Sequence, residues 1–181
     1  MSRPASPAHA KLVVGAFTAE GDLILPVAQK LSEKFGDIDL ASNWFAFDYT
    51  DYYEPEMGTG LLRRMMAFKS LVSQDALAEI KHATNEIEAQ YCSKDKRRVN
   101  IDPGYLLRER FVLATGKNFS HRIYIGRGIY ADLTLVYQKG AFRPLPWTYP
   151  DYTALDMLGF LQRVRSKYIF DLKEIKEKHH D

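Results

Sequence analysis

The feature that most constrains the fold is the recurrence of apolar residues at alternate positions in the segment IYADLTLVY, 129–137. Its apolar side chains recur at every second position, at Ile129, Ala131, Leu133, Leu135 and Tyr137. Successive side chains of a strand point to opposite faces, whereas a helix does not keep this alternation for so long. Ile123 and Ile125 precede the segment across Gly126-Arg127-Gly128. The sequence therefore predicts a β-hairpin with a glycine-rich turn.

The beginning of the chain predicts a strand, a helix and a second strand. KLVVGAFT, 11–18, is an apolar and β-branched run that is typical of a buried strand. Val27, Leu31 and Phe35 then recur on one helical face within a helix over 22–35. IDLASNWFAF, 38–47, returns to an extended pattern. This order favours a βαβ-like opening.

The middle of the chain predicts further elements of both kinds. A second helix is predicted over 74–91, because apolar residues recur there at spacings of 3 and 4. LLRRMMAFKSLV, 61–72, favours a short helix, and RERFVLAT, 108–115, favours a strand. Asp102-Pro103-Gly104 has the composition of a turn, since proline presets φ and glycine accepts positive φ. A last helix is expected from about Thr153.

Together these elements predict the α+β class. The sheet is expected to be mainly antiparallel, opened by a βαβ unit, with helices on one face and a ferredoxin-like core carrying an added β-hairpin. The helices at 22–35 and 74–91 should share that face. The chain has 181 residues, which suits one domain, expected over 11–178 after a disordered tail over 1–10.

Composition narrows the classes of protein that fit. A formal net charge of +2 gives no signal for a nucleic-acid partner, and no apolar run reaches the length of a membrane span. The single cysteine, Cys92, cannot form an internal disulfide, which suits a reducing cytoplasm. P-loop, GxGxxG, HExxH and GxSxG motifs do not occur where a site would require them. The scattered His and Cys residues do not match zinc spacing, whereas Mg²⁺ held by carboxylates is a candidate cofactor.

The candidate site consists of polar residues from three separate segments. They are Asp48, Asp51 and Tyr52 in a tyrosine-rich loop over 47–60, Asn100, Asp102 and Tyr105 at the Pro-Gly segment, and Lys117, His121 and Arg122 before the hairpin. Lysine and arginine suit recognition of phosphate or carboxylate groups. Histidine and aspartate are residue types that commonly act as general acids and bases, so His121 and Asp102 are the candidate catalytic residues.

Structural roles are the alternative for each of these residues. Asp102 could pair with Arg97 or Arg98, and His121 could bond a backbone carbonyl. The loop over 47–60 could pack its rings on the core with its carboxylates in water. His121 and Arg122 can both face one ligand only if the chain turns at Ser120-His121, because neighbours in an extended strand point apart.

Four segments carry a family resemblance. They are FDYTDYYEPEMGTGL, RRVNIDPGYL, FVLATGKNFSHRIYIGRGIYADLTLVY and WTYPDY. The chain resembles, from about Lys11 to Tyr168, the bacterial and archaeal domain-of-unknown-function family 4416. Tyr49 stands where Phe is expected, and Gly116 where a second Thr or Ser is usual. The resemblance implies a single-domain prokaryotic protein without an assigned activity. Some relatives are labelled GTP-binding, but this chain has neither a P-loop nor an NKxD motif.

Two hypotheses about function follow from the sequence. The first is a cytoplasmic protein that binds, and on one version acts on, an anionic phosphorylated small molecule or nucleotide. The alternative is a non-catalytic protein-interaction module whose tyrosine-rich loop contacts a partner. Convergence of Asp48, Asp51, Asp102, His121 and Arg122 in one pocket would favour the first. The residues alone do not identify a reaction, the ligand or the oligomeric state.

Overall fold

The computed structural model describes residues 3–94 and 96–177 of the chain. Within these residues nine strands form one sheet: Ala10–Thr18 (β1), Ile38–Ala41 (β2), Phe45–Ala46 (β3), Leu62–Val72 (β4), Asn100–Leu106 (β5), Arg110–Thr115 (β6), Arg122–Gly126 (β7), Ile129–Gln138 (β8) and Ala141–Pro144 (β9). The α-helices of the same residues are Ile24–Phe35 (α1), Glu54–Met57 (α2), Leu77–Gln90 (α3) and Leu155–Glu177 (α4). Short 3₁₀ turns at 21–23, 74–76 and 150–153 precede α1, α3 and α4.

The strand order is β2-β4-β1-β5-β6-β8-β7, with β3 paired to β4 and β9 paired to β8. Every one of these pairings is antiparallel. The predicted α+β class and the predicted hairpin, β7 with β8, are therefore confirmed. β1 and β2 are not neighbours, because β4 lies between them. β1 begins at Ala10, one residue earlier than predicted, while residues 1, 2 and 178 of the predicted tail and domain lie outside the described residues.

Helices cover both faces of the sheet. Val27 and Leu31 of α1 and Ile87 of α3 pack with Leu12 and Val14 of β1, so α1 and α3 share one face as predicted. Side chains of α4, including Phe160 and Leu161, pack instead with the opposite row of the sheet, which includes Val13 and Met65. This differs from the predicted one-sided arrangement. The reason is that all nine residues of β1 are buried, so both rows of the central strand need cover.

The prediction of a short helix over 61–72 is wrong, since β4 occupies Leu62–Val72. β4 lies between β1 and β2 and is covered on both faces, so Met65, Met66, Ala67 and Phe68 are all buried. A strand buried on both faces loses the apolar-polar alternation that would identify it, and a short apolar run then resembles a helix segment.

The predicted turn at Asp102-Pro103-Gly104 is also wrong, because β5 runs straight through these residues. β5 pairs with β1 over its whole length, but it pairs with β6 only at Gly104–Leu106. Gly104 allows the close approach to β6, since a Cβ there would lie 2.4 Å from the carbonyl oxygen of Val112. Proline and glycine therefore mark the point where β5 and β6 meet.

Side chains of α3 replace the missing strand partner along the first half of β5. A carboxylate oxygen of Glu88, Oε1, accepts a hydrogen bond from the Ile101 amide at 2.5 Å, and Lys81 Nζ donates to the Ile101 carbonyl at 2.8 Å. Backbone polar groups in a protein interior require such partners. β5 and β6 consequently diverge before Gly104, and the sheet opens between them.

A buried ion-pair cluster fixes α4 to the other end of the sheet. Lys11 of β1 is fully buried, and its Nζ lies 2.6 Å from Asp39 of β2 and 2.8 Å from Asp171 of α4. Burial alone would raise the pKa of Asp171, but the hydrogen bonds from Lys11 and Lys167 lower it below its ordinary value. The cluster therefore holds a charged carboxylate in place between helix and sheet.

Candidate functional site

A cleft of about 800 Å³ lies where β5 and β6 diverge. Its walls combine aromatic rings with charged side chains. The rings belong to Phe47, Tyr49, Tyr52, Tyr53, Tyr149 and Tyr152, and the charged groups to Arg63, Lys81, Glu88, Arg97, Asp102, Lys117, Arg122, Asp132 and Asp151. Asn85, Asn100, Thr50 and Thr115 add neutral polar groups. A concave site of this size with aromatic walls and a few polar groups is typical of small-molecule binding.

Arg63 of β4 forms the buried end of the cleft. Its guanidinium carbon lies 4.4 Å from the ring centroid of Phe47 and 5.1 Å from that of Phe17. Nη1 donates a hydrogen bond to Asp151, and Nη2 lies 3.7 Å from a carboxylate oxygen of Asp102. Burial would lower the pKa of Arg63, but Tyr152 and the two carboxylates raise it on balance. Arg63 is therefore a permanently charged group between two aromatic rings and two carboxylates.

Asp102 of β5 is the carboxylate that is open to the cleft. Its side chain is 28% exposed, compared with 8% for Asp151. The nearest cationic nitrogens are those of Arg63 at 3.7 Å and Lys81 at 3.9 Å, both beyond hydrogen-bond distance. Within the described residues its carboxylate accepts no hydrogen bond. The pairing with Arg97 or Arg98 that the sequence allowed does not occur, since these arginines bind Glu56 and Glu20.

Lys117 and Tyr52 meet at the rim of the cleft. Lys117 Nζ lies 3.3 Å from the Tyr52 hydroxyl and 4.5 Å from the centroid of its ring. In the described part of the chain no carboxylate lies within 4.0 Å of this ammonium group. Tyr52 comes from the tyrosine-rich loop, and Lys117 follows β6, so the contact connects two segments across the opening.

Asp132 of β8 holds the segment before the hairpin. Arg122 Nε donates to Asp132 Oδ2 at 2.9 Å, and His121 Nε2 lies 3.2 Å from the same oxygen. The amide of Arg122 donates to the carbonyl of Phe119, so the chain does turn at Ser120-His121, as the hypothesis of a shared site required. Arg122 also donates to the Lys117 carbonyl and to the Tyr149 hydroxyl, which orients both sides of the rim.

Burial changes the ionisation of two groups in the walls. It raises the pKa of Tyr53 to about 12, and the nearby Asp102 carboxylate adds to this shift. Burial also raises the pKa of Glu88, against the opposing effects of Lys81 and the Ile101 amide. Tyr53 is therefore a neutral phenol near pH 7 and can donate a hydrogen bond.

Five of the nine predicted site residues line this cleft: Tyr52, Asn100, Asp102, Lys117 and Arg122. The other four are placed elsewhere. Asp48 and Asp51 are exposed on the loop, Tyr105 is buried in the apolar core, and His121 stacks on Trp147 at a centroid distance of 5.0 Å. His121 does not line the cleft, but it contacts Asp132, which does.

Several lining residues were absent from the predicted set, notably Arg63, Lys81, Glu88 and Asp151. Arg63 lies in the segment 61–72, for which the sequence favours a short helix, so its place on a strand that lines the cleft was not predicted. Lys81 and Glu88 lie on a helix whose apolar stripe gave no reason to single them out. The acidic residue in WTYPDY was the available signal for Asp151.

A family model described as "Domain of unknown function (DUF4416)" matches residues 8–168. The chain belongs to this family. The DUF4416 match covers all of β1 to β9 and ends within α4, so every residue of the cleft falls inside it. A search of curated proteins and a search of solved structures found no significant match.

Two further observations on this DUF4416 protein concern its described helices and its possible metal ligands. None of its described helices is long and apolar enough to cross a membrane. Within the described residues, no group of three or more His, Cys, Asp or Glu side chains is arranged to hold a metal ion.

Proposed function

We propose that this protein binds an anionic phosphorylated small molecule, such as a nucleotide, in the cleft between β5 and β6. The observation that carries the proposal is the position of Lys117. Its ammonium group lies at the exposed rim of the cleft, beside the ring of Tyr52, with no carboxylate within 4.0 Å among the described residues. A cation without a carboxylate partner at the rim of a cleft favours an anionic ligand.

The rings of the wall support a ligand that has a flat or cyclic part. Tyr49, Tyr52 and Tyr149 are each about half exposed at the opening, and Lys117 lies over the ring of Tyr52. Aromatic side chains stack on nucleobases and on sugar rings, and each stacked base contributes about 1–3 kcal/mol in single-stranded nucleic-acid complexes. A phosphate near Lys117 with a ring against the tyrosines would use both features.

Asp102 and His121 differ in how they could take part in proton transfer to or from a bound ligand. Asp102 is open to the cleft and remains a candidate general base, whereas the ring nitrogen of His121 already contacts Asp132. Mg²⁺ remains a candidate cofactor, since it is commonly held by one or two carboxylates together with phosphate oxygens. A cytoplasmic location also remains part of the proposal, and the single cysteine supports it.

A ferredoxin-like core is proposed as the scaffold of this site. The support comes from the connections β1-α1-β2 and β4-α3-β5 and from the order β2-β4-β1-β5, in which each pair is antiparallel. The strands β6 to β9 would then be an extension of that core, and the cleft would lie at the boundary between the two parts.

The binding proposal is tested by thermal shift with inorganic phosphate, pyrophosphate, nucleotides and sugar phosphates, each with and without Mg²⁺. A ligand at 100 times its Kd stabilises by about 2.7 kcal/mol, which for this size of domain raises Tm by roughly 5–10 °C. Lys117→Gln should lose most of that shift. Lys34→Gln, which changes an exposed lysine of α1 far from the cleft, should keep it.

Two results would contradict the proposal. One is the absence of a shift with every phosphorylated probe, which would favour the alternative in which the tyrosine-rich loop contacts a protein. The other is a shift of equal size in wild type and in Lys117→Gln, because binding would then take place elsewhere.

A further inference from the structure

We infer that the cleft selects phosphorylated ligands that also carry a hydroxyl or amino group, and that Asp102 accepts the hydrogen bond from that group. This inference rests on the proposed function, because it concerns the same cleft. It assigns Asp102 to ligand specificity and names the class of ligand as a sugar phosphate or nucleotide rather than a simple phosphate.

The bonding of Asp102 is the first reason. Charged carboxylates in partly buried sites normally accept short hydrogen bonds of about 2.7–2.9 Å from cationic nitrogens. The two cations near Asp102 lie at 3.7 and 3.9 Å, and both already hold closer partners, Arg63 with Asp151 and Lys81 with the Ile101 carbonyl. The carboxylate is thus balanced in charge while its oxygens stay available to a donor.

The arrangement of the two strands is the second reason. Asp102 lies on the β5 side of the opening, and Lys117 lies beyond the end of β6 on the other side. The β5–β6 pairing ends at Gly104 and Leu113. Continued in register, it would place Asp102 opposite Thr115, two residues before Lys117. A ligand with an anionic group at one end and a donor at the other would bridge the opening.

Charge makes this arrangement selective. A second anionic group near Asp102 would meet a carboxylate and be repelled, whereas a hydroxyl or amine would be bound. A carboxylate can also accept from two neighbouring hydroxyls at once, because its two oxygens carry about four lone-pair sites. Sugar hydroxyls fit these requirements, because they donate hydrogen bonds without adding negative charge beside Asp102.

The test compares two phosphate monoesters with five-membered rings, one with donor groups on the ring and one without. Ribose 5-phosphate has hydroxyls, and cyclopentylmethyl phosphate has a ring of similar size with none. Calorimetric titration of the wild type should show about tenfold or greater preference for ribose 5-phosphate, which is the size of effect expected for a hydrogen bond to a charged group. Asp102→Asn should reduce this preference about fivefold while binding of cyclopentylmethyl phosphate is kept, because a neutral amide oxygen accepts a weaker hydrogen bond.

Controls separate this specificity role from a structural one. Asp22→Asn changes an exposed carboxylate before α1 and should keep the preference. Asp102→Glu keeps the charge that Arg63 and Lys81 face but displaces the carboxylate by one methylene, so it should fold and also lose the preference. The Glu variant carries the test if the Asn variant does not fold.

The outcomes distinguish the two levels of the argument. If the wild type binds both probes equally and the Asp102 variants change neither, the inference is overturned and the binding proposal stands. If neither probe binds, and no phosphorylated ligand shifts Tm, both are overturned. If Asp102→Asn lowers the affinity for both probes to the same extent, Asp102 maintains the structure of the cleft and does not determine ligand specificity. The inference is then also overturned.

Discussion

Removing the positive charge of Arg63 should destabilise the protein strongly. Arg63 is 3% exposed, and among the described residues it is the sole cation within 4 Å of the buried Asp151 carboxylate. Arg63→Met preserves most of the apolar contact with Phe17 and Phe47 but leaves this carboxylate unpaired. Breaking a buried pair in this way costs about 3–5 kcal/mol. Domains of this kind are stable by about 5–15 kcal/mol, so the loss is a large fraction of the total.

Urea unfolding measures this loss, with the slope m as a check on two-state behaviour. Asp151→Asn in the Arg63→Met background removes the unpaired charge, so the double variant should lose less than the sum of the single losses, with a coupling of about 1–3 kcal/mol. Arg64→Met is the matched control, because Arg64 is half-buried on the same strand and its guanidinium carbon lies 5.2 Å from the ring centroid of Trp44, with no carboxylate within 4.0 Å among the described residues. A loss below about 1 kcal/mol for Arg63→Met, or an equal loss for Arg64→Met, would refute the reasoning.

Two smaller predictions concern the opening between β5 and β6. Burial raises the pKa of Glu88 in the folded protein above its ordinary value of 4.5. Protonated Glu88 therefore stabilises the fold. This contribution is fully present below pH 4.5 and is lost as the pH rises through the folded-state pKa. Glu88→Gln keeps an acceptor for the Ile101 amide. Its free energy of unfolding, measured by urea titration, should fall less from pH 4.5 to 7 than that of the wild type. The same pH dependence in both proteins would contradict this prediction. Gly104→Ala should cost about 2 kcal/mol or more in the same assay, since its Cβ would meet the Val112 carbonyl, whereas Gly116→Ala, with open space around it, should be nearly neutral. Equal losses for the two glycines would show that β5 and β6 can move apart.

The parts of the fold that followed from the sequence are those in which apolar residues recur at a regular spacing. The hairpin of β7 and β8 has apolar residues at every second position, and α1 and α3 have them at helical spacing. β4 has no such pattern, because helices cover it from both sides and four consecutive residues, 65–68, are buried. The packing of α4 on the second face is a tertiary event that local periodicity does not encode.

The candidate site was predictable in part for a related reason. Polar side chains in loops, such as Tyr52 and Lys117, stand out in the sequence because nothing in their local pattern requires them there. Arg63 and Glu88 lie inside regular elements, and their roles depend on which other element they face. Arg63 is buried because Phe47 and the 3₁₀ turn at 150–153, which carries Asp151, both pack against it.

The opening between β5 and β6 explains why these polar groups are buried at all. A continuous sheet would satisfy the backbone of β5 with that of β6, and the side chains of Lys81 and Glu88 would have no polar partner there. The strands diverge instead, and these two side chains bind the amide and carbonyl of Ile101. Once they are anchored, their charges lie in the walls of the cleft, where Asp102 faces Lys81 and Arg63. An apolar side chain at position 81 or 88 would leave a backbone group of β5 unpaired, at a cost of about 1–3 kcal/mol. The same hydrogen bonds therefore satisfy the backbone of β5 where it does not pair with β6, and they place charged side chains in the walls of the cleft.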